Sequence, residues 1–402
     1  MTYDAIVIGG GPAGASAALM LARSGWLVAL VEKKEFPRRK VCGEFISATN
    51  FPLLREFGVA DQFLERAGPE IRRVGLFAGD CVLDSTMPQP WAGAGRWGRA
   101  LGRESLDLLL LQAAERAGVS LWQPWNVKDI RRTRNGFACA LAARDARKEL
   151  TARIVIAAHG SWETGTLPTQ IARPHDPADL LAFKAHFTGS GLPKDLMPLL
   201  VFPGGYGGMV HTDGERVSLS CCIRRDVMEQ CRSTQRNRRA AEAVFQHIRT
   251  ACRGIGEALA GAHLDGAWLS AGPIRPGIRN GYADGIFLVG NAAGEAHPIV
   301  AEGISMAIQS AWLLCNQLIA NEDDLASPTA LAEIGTVYAA DWRASFATRI
   351  RAASLFAQVA QRPNAAAVAV TLLRRFPAIL TIGAKLSGKA RMPVVPPSHN
   401  LA

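Results

Sequence analysis

The sequence predicts an α/β fold, in which a doubly wound parallel-sheet domain carries an inserted antiparallel sheet and a helical C-terminal tail. Three observations support this prediction. A short apolar strand, a glycine-rich turn and a helix open the chain, and a second unit of the same kind begins near residue 286. Between them, from about 175 to 275, short apolar runs alternate with glycine turns, as is typical of antiparallel strands.

The composition is that of a folded chain with a large core. The 402 residues are 49% hydrophobic and 20% charged, which suits two domains or one with large insertions and excludes a disordered chain. The formal net charge of +10 favours either an anionic partner or simply a solvated basic surface. Because no repeat interleaves aromatic with basic residues, we expect no nucleic-acid partner.

The eight cysteines indicate free thiols rather than bridges or metal ligands. They form no Cys-x-x-Cys pair and no Cys/His set with zinc spacing, so we predict no metal site and a reducing, cytoplasmic environment. We expect no signal peptide, because the N-terminus itself has the pattern of the first strand. No uncharged apolar run reaches 18 residues, so we expect no transmembrane segment.

The first unit has the order strand, glycine turn, helix, strand and acid. Residues 4–8 form a buried strand, and the turn Gly-Gly-Gly-Pro-Ala-Gly follows at 9–14. A helix is predicted at 15–23, and a second strand at 27–31 ends in Glu32. This order is typical of a domain that binds a dinucleotide.

Each part of this unit has a physical role. Gly9 permits the tight turn, Gly11 lets the backbone approach a pyrophosphate, and Gly14 lets the helix pack closely on the strand. The helix N-terminus offers free N–H groups to the phosphates, and Glu32 can accept a hydrogen bond from a ribose hydroxyl. A glycine-rich turn in an ordinary α/β fold is the simpler alternative. The position of Glu32 at the end of the second strand favours an adenine dinucleotide.

The elements that follow extend the same domain. A charged loop leads to Val-Cys-Gly-Glu at 41–44, and a strong helix at 104–117 has apolar residues on one face. A strand is predicted at 119–127, and a meander follows with strands at 137–142 and 150–158.

The inserted sheet and a return of the first pattern complete the chain. Five strands are predicted in the insertion, at 180–188, 199–202, 207–211, 216–223 and 267–274. One helix is expected at 234–252, and a buried strand at 286–289 leads through a polar glycine turn into a long helix at about 304–320. The alanine-rich tail, interrupted by Arg374 and Arg375, is either a packing helix or an amphipathic cover for an apolar tunnel.

Four separated segments fit one binding site. The first glycine turn with Glu32 would hold a pyrophosphate and a ribose, Arg103 stands before a helix within reach of a phosphate, and Val127 belongs to a strand end where an adenine could lie. The turn at 290–304 supplies a second phosphate- or ribityl-binding geometry. Because both ends of the chain contribute and only one Gly-x-Gly-x-x-Gly of this kind is present, a flavin dinucleotide buried lengthwise fits best.

The arrangement resembles the FAD-dependent oxidoreductase superfamily of geranylgeranyl reductases, flavin-dependent halogenases and aromatic hydroxylases, over about residues 1–325. The most specific likeness is Gly-Asn-Ala-Ala-Gly at 290–294 with Pro298 and Glu-Gly-Ile at 302–304, which in the family lies along the isoalloxazine and ribityl chain. Lys-Val-Cys-Gly-Glu at 40–44 looks most like the geranylgeranyl reductase branch.

Three features depart from the family pattern. The family's Asp is Asn291 here, which keeps an acceptor for a ribityl hydroxyl. The Asp of the family's Asp-Gly pair is His159, which leaves open whether NAD(P)H or a partner flavin reductase supplies electrons. The Trp-x-Trp-x-Ile-Pro of halogenases is absent, so we do not expect chlorination.

The resemblance implies a p-hydroxybenzoate hydroxylase-like fold of three parts. These are a Rossmann-like FAD-binding domain at 1–70, 98–174 and 275–325, a substrate domain at 71–97 and 175–274, and a helical C-terminal region at 326–402. The residues that the resemblance assigns to FAD are Gly9, Gly11, Pro12, Ala13, Gly14, Glu32, Lys33, Val41, Cys42, Gly43, Arg103, Val127, Gly290, Asn291, Pro298, Glu302, Gly303 and Ile304.

The resemblance also implies candidates for catalysis and for substrate binding. Cys42 is either a reactive thiol at the flavin or a small buried residue. His297 either donates to a flavin carbonyl or a substrate oxygen, or caps its own turn. Phe183, Phe202 and Tyr206 are expected to line an apolar substrate pocket, or else to belong to the core of the sheet.

From these features we expect an FAD-dependent oxidoreductase, with a monooxygenase that acts through a C4a-hydroperoxyflavin as the favoured reaction. The substrate would be an apolar or aromatic small molecule of lipid, isoprenoid or polyketide type, free or carrier-bound, in secondary metabolism. The alternative is a geranylgeranyl-reductase-like flavoenzyme that reduces carbon–carbon double bonds. Two further alternatives are a non-catalytic module that binds flavin without turnover, and a nicotinamide-dependent dehydrogenase, which leaves the turn at 290–304 unexplained.

Overall fold

Two large sheets and a helical tail make up the structure, a computed structural model that describes residues 2–89, 96–161, 165, 167–170, 174–235 and 237–389. The strands are β1 (Thr2–Ile8), β2 (Val28–Val31), β3 (Phe45–Ile46), β4 (Arg73–Ala78), β5 (Cys81–Thr86), β6 (Arg99–Ala100), β7 (Ser120–Trp122), β8 (Asn126–Thr133), β9 (Gly136–Ala143), β10 (Ala146–Ala157), β11 (Leu180–Thr188), β12 (Leu196–Phe202), β13 (Gly205–His211), β14 (Val217–Arg224), β15 (His263–Ile274), β16 (Gly277–Ile278), β17 (Tyr282–Ala283), β18 (Ile286–Leu288) and β19 (Gly294–Glu295). The helices are α1 (Pro12–Arg23), α2 (Phe51–Glu56), α3 (Ala60–Arg66), α4 (Arg103–Arg116), α5 (Arg225–Thr234), α6 (Ala240–Ala251), α7 (Arg253–Ala258), α8 (Gly303–Ala320), α9 (Pro328–Gln361), α10 (Pro363–Arg375) and α11 (Ala378–Ala384).

The first sheet is mainly parallel and contains the N-terminal unit. Its order is β17-β18-β10-β1-β2-β7; the four pairings from β18 to β7 are parallel, and β9 and β17 join in antiparallel fashion. Because parallel strands end at one edge of a sheet, the turns after Ile8, Val31, Ala157 and Leu288 lie at the same edge. This arrangement confirms the predicted Rossmann-like α/β fold.

Two predicted elements have different bounds in the structure. The strand expected at 119–127 is split into β7 and β8, because Pro124, which has no N–H to give to a ladder, stands between them. The helix expected at 234–252 is α6, which begins only at Ala240, and it is preceded by α5, a helix that was not predicted. The start of α6 is marked by the Arg239 N–H, which donates to Glu242 Oε2 at 3.3 Å.

The second sheet has seven strands in the order β15-β11-β14-β13-β12-β4-β5. Its neighbours are antiparallel except for β4 and β12, which pair in parallel, so the inserted sheet is mixed rather than wholly antiparallel. One face of this sheet packs on α6 and α7 around an apolar core that contains Phe77, Ile223 and Ile248. Its other face is turned to the edge of the first sheet where the turns meet, and the site lies between them.

The tail packs on both parts of the molecule. α9 lies against α8, and α11 lies on β4 and β5, where Leu380 and Ala384 are buried. The hydroxyl of Thr381 donates to the Thr86 carbonyl oxygen at 2.6 Å and fixes this contact. Among the described helices none is long and apolar enough by itself to cross a membrane; α10 with Ala378–Lys389 passes by length and composition only as a pair bent by 114°.

Candidate active site

A cavity of about 510 Å³ runs from the edge of the first sheet to the inner face of the second. The structure brings sixteen of the eighteen predicted cofactor residues to its wall, from both ends of the chain. The two others lie behind it: Gly14 packs inside the turn, and Glu302 is held by the tail. The opposite wall is formed by β12, β13 and β14, with Met197, Leu199, Tyr206, Val210 and Cys222.

The first glycine turn forms a cradle that other residues would fill. Gly9 has φ +107°, and a Cβ there would lie 2.7 Å from the Ala158 carbonyl oxygen. A Cβ on Gly14 would lie 1.8 Å from the Gly9 carbonyl oxygen, so α1 can approach β1 only with glycine at this position. Gly11 is open towards the cavity at the N-terminus of α1. These features fit a pyrophosphate against the free N–H groups of the helix.

Glu32 lies at the end of β2 with its carboxylate fixed by backbone groups. The Gly10 N–H donates to Oε2 at 2.8 Å and the Lys34 N–H donates to Oε1 at 2.9 Å, while Arg38 lies at 3.5 Å. The side chain is buried but lines the cavity beside Lys33. Since each carboxylate oxygen can accept more than one hydrogen bond, the group can also accept from a ribose hydroxyl.

Arg103 enters the cavity next to Gly11. Its guanidinium makes a bidentate pair with Asp107, with Nε–Oδ1 and Nη2–Oδ2 distances of 2.7 Å, and both side chains are buried. This pairing orients the guanidinium, as a phosphate contact requires. Its backbone N–H donates to Glu44 Oε1 at 3.0 Å, which ties the start of α4 to the segment that carries Cys42.

Glu44 anchors the Val-Cys-Gly-Glu segment to the second sheet. It adopts φ +63°, and its buried carboxylate contacts the ammonium of Lys184 and, at 2.8 Å, Nε2 of His186. Burial alone would raise the pKa of Glu44, but the Lys184 charge and the His186 hydrogen bond outweigh it and lower the pKa to about 2. Cys42 and Gly43 are therefore held at the cavity wall by an ionic cluster.

The sequence contained a signal for this cluster that the predictions missed. Lys184 and His186 are two residues apart in β11, so both point to the same face of an otherwise apolar strand. Buried charged residues at alternate positions require a charged partner, which the structure supplies as Glu44.

The second glycine turn is organised by Glu295, which the predictions also missed. Asn291 Nδ2 donates to Glu295 Oε1 at 2.9 Å, and the Ser161 hydroxyl donates to Oε2 at 2.6 Å. The Gly290 N–H donates to the Ser310 hydroxyl at 2.7 Å. Burial raises the pKa of Glu295 above its usual range. Asn291 is thus oriented by a buried carboxyl group at the cavity wall.

His297 reaches the cavity through Tyr206. The Tyr206 hydroxyl and His297 Nδ1 are 3.0 Å apart, and burial raises the pKa of the tyrosine while it lowers that of the histidine to about 4. A protonated tyrosine donates to a neutral imidazole in this arrangement. Tyr206 lines the cavity, whereas His297 is not among the lining residues.

Phe183 and Phe202 do not line the cavity, in contrast to the expectation. Both are buried in the core between the second sheet and its helices. The reason is that side chains alternate between the two faces of a strand. Ala182 in β11 and Leu199 in β12 face the cavity, so Phe183, one position after Ala182, and Phe202, three positions after Leu199, face the other side.

His159, which the resemblance aligns with the Asp of the Asp-Gly pair, lies at the cavity wall. Its Nδ1 lies 2.9 Å from the Gly160 carbonyl oxygen and its Nε2 lies 2.8 Å from the Thr169 hydroxyl. Both ring nitrogens are therefore engaged by neutral groups.

Comparison with known proteins agrees with this geometry. A family model described as FAD binding domain matches residues 2–340. The chain is 28% identical to conditioned medium factor receptor 1 of Dictyostelium discoideum over 80% of its length and 65% of that protein. It is 25% identical to tryptophan 2-halogenase of Chondromyces crocatus over 81% of its length and 63% of that protein. The matched regions thus span slightly less than two thirds of these two relatives.

Other similarities cover whole chains at low identity. Digeranylgeranylglycerophospholipid reductase 2 of Methanopyrus kandleri is 25% identical, with 89% of this chain and 88% of that protein matched. The solved structure of the myxobacterial chondrochloren halogenase CndH has a TM-score of 0.76 at 20% identity, covering 96% and 90% of the two chains. The pqsL structure from Pseudomonas aeruginosa, described as a probable FAD-dependent monooxygenase, has a TM-score of 0.67 at 18% identity, covering 92% and 100%. The structural similarities demonstrate a common fold.

Proposed function

Because the chain belongs to the FAD-binding-domain family of oxidoreductases, we propose that it is an FAD-dependent monooxygenase acting on an apolar or aromatic small molecule. The observation that carries the proposal is the single cavity that joins the dinucleotide cradle to an apolar wall. A cofactor stretched along the first part of the cavity would present its reactive end to the second sheet, where an apolar substrate fits. FAD would supply the redox chemistry, and the chain would supply binding, orientation and exclusion of water.

Different residues of the cavity would bind the different parts of the cofactor and the substrate. Gly11 and the start of α1 would bind the pyrophosphate, Glu32 the adenosine ribose, and Asn291 the ribityl chain. Met197, Leu199 and Val210 would exclude water from the substrate. An apolar wall beside the reactive end of the cofactor would limit the access of water there, which supports oxygenation.

Reduction of a carbon–carbon double bond is the second candidate, and Cys42 is the observation that favours it. The thiol lines the cavity and interacts with the Arg103 guanidinium. A thiol in this position could protonate a carbon atom of a reduced double bond. The same segment carries the likeness to geranylgeranyl reductases, of which one is similar over most of this chain.

Isotope labelling distinguishes the two reactions. The protein is first titrated with FAD and followed by flavin absorbance and thermal shift; no binding would overturn both candidates. The reduced holoprotein is then mixed with an alkylphenol under ¹⁸O₂ and, in a separate anaerobic assay, with geranylgeraniol. Oxygenation predicts one labelled oxygen atom in the product. Anaerobic gain of two hydrogen atoms by geranylgeraniol, lost in Cys42→Ala, would replace the monooxygenase with the reductase.

His159 bears on how the flavin would be reduced. This residue offers no carboxylate where the hydroxylases have one, so we propose that NAD(P)H alone reduces the flavin slowly, and that bound substrate or a partner flavin reductase is needed for fast reduction. Stopped-flow reduction by NADPH, with and without a separate flavin reductase, measures this directly. Fast reduction by NADPH alone, without substrate, would contradict it.

A further inference from the structure

The C-terminal region carries most of the molecule's excess positive charge. Residues 342–402 contain nine Lys and Arg and no Asp or Glu, whereas the formal net charge of the chain is +10. Two of the nine, Arg349 and Lys389, are buried. The side chains exposed on the described helices are Arg343, Arg351, Arg362, Arg374, Arg375 and Lys385. A segment that carries only positive charges favours an anionic partner.

The same region exposes large apolar side chains. Along α10 and at its end, Val368, Leu372 and Phe376 recur every four residues, which places them on one helix face, and they are 71%, 49% and 53% exposed. Ile382 and Leu386 repeat this spacing after the bend. These five are more than half of the nine large hydrophobic residues exposed in the described part of the chain.

The opposite side of these helices packs on the cavity wall. Val370, Leu373, Leu380 and Ala384 belong to one apolar cluster with residues that also line the cavity, namely Phe45, Met197 and Val210. α10 and α11 therefore form a single layer over the cavity wall. The five exposed apolar residues, here called the apolar row, lie on the outer side of this layer. A pair bent by 114° and packed in this way fits an orientation parallel to a membrane surface rather than across a membrane.

We propose that α10 and α11 dock the protein on the surface of an anionic phospholipid membrane. The apolar row enters the interface between headgroups and acyl chains, and Arg375 and Lys385, which adjoin the row, contact the anionic headgroups. Charge complementarity favours this partner over a neutral surface, because the exposed Arg375 and Lys385 adjoin the row at Phe376 and Leu386, and residues 342–402 contain no Asp or Glu. Docking brings the cavity wall within one helix layer of the bilayer, where an apolar substrate is concentrated.

Vesicle co-sedimentation of the FAD-loaded full chain tests the proposal. We expect binding to phosphatidylcholine vesicles that contain phosphatidylglycerol, weaker binding to phosphatidylcholine alone, and loss of binding in high salt. Leu372→Ser with Phe376→Ser should abolish binding, whereas the control Val337→Ser, an exposed apolar residue on α9, should not change it. Neutralising Arg375 and Lys385 to Gln should weaken binding by roughly fivefold per charge.

Several outcomes would overturn the proposal. If the wild-type chain stays in the supernatant with anionic vesicles while flavin absorbance shows it folded, the face is not a membrane anchor. A dimer in analytical ultracentrifugation that the double serine variant dissociates, without vesicle binding, would identify a second copy as the occupant. Vesicle binding that arises only after removal of residues 390–402 would mean that this segment covers the face.

Discussion

Three buried carboxylates at the cavity show how environment separates residues of the same type. Glu32 accepts backbone N–H groups, which suits a fixed acceptor for a sugar hydroxyl. Glu44 is surrounded by cationic or proton-bearing groups that lower its pKa, so it is a structural anchor. Glu295 is held mainly by the neutral donors Ser161 and Asn291, and its pKa is raised by burial. Of the last two, Glu295 is therefore the group that more readily holds a proton inside the cavity.

Replacement of Glu32 tests the ribose contact. Glu32→Ala should weaken FAD binding by roughly 1–3 kcal/mol, the value of a charge-assisted hydrogen bond. Glu32→Gln is the matched control, since it keeps one acceptor oxygen and should lose less affinity. Fluorescence titration with FAD measures both. An Ala variant with wild-type affinity would exclude Glu32 from the cofactor site.

At the level of elements, β12 separates substrate contact from core packing within one strand. Leu199 faces the cavity, and Phe202 lies in the core on the other side. Leu199→Ala should change the affinity for substrate and leave flavin binding intact. Phe202→Ala should lower the free energy of unfolding by about 3–5 kcal/mol without a change in substrate preference. Altered substrate selection in the Phe202 variant would contradict this division of the strand.

The position of α1 depends on the absence of a side chain at Gly14. Gly14→Ala places a methyl group 1.8 Å from the Gly9 carbonyl oxygen, so it should displace α1 and cost about 1–3 kcal/mol of stability as well as FAD affinity. Gly256→Ala is the control, because that position also lies in a helix, is not at the cavity wall, and a Cβ there meets nothing within 4 Å. Thermal denaturation of both variants measures the difference. Equal stability would show that the turn can relax.

For the whole molecule, the Glu44 cluster between the two sheets makes the free energy of unfolding depend on pH. The pKa of Glu44 is about 2 in the folded protein and 4.5 without these interactions, so its contribution is complete above pH 4.5 and is lost as pH falls towards 2. The loss amounts to about 3 kcal/mol. Glu44→Gln should flatten the pH dependence of urea unfolding in this window and, at pH 7, destabilise by about 3–5 kcal/mol because Lys184 loses its partner. A variant with an unchanged pH profile would contradict the coupling.

The sequence alone determined the features that depend on neighbours along the chain. The order strand, glycine turn, helix, strand and acid predicts the dinucleotide cradle, because each step needs only local geometry at Gly9, Gly14 and Glu32. The second turn at Gly290 was predicted for the same reason. These local patterns led to the correct α/β fold and to most of the cavity's cofactor side.

Only the tertiary structure decided which faces meet. Alternation in β11 predicts that Phe183 and Lys184 point to opposite sides, but it does not determine which side is the cavity. That choice depends on strand pairings and on Glu44, which lies 140 residues from Lys184 in the chain. The parallel pairing of β4 with β12 and the position of the tail over the cavity wall are contacts of the same long range. Local propensity carries no information about such pairings, because their free energy comes from burial between segments far apart in sequence.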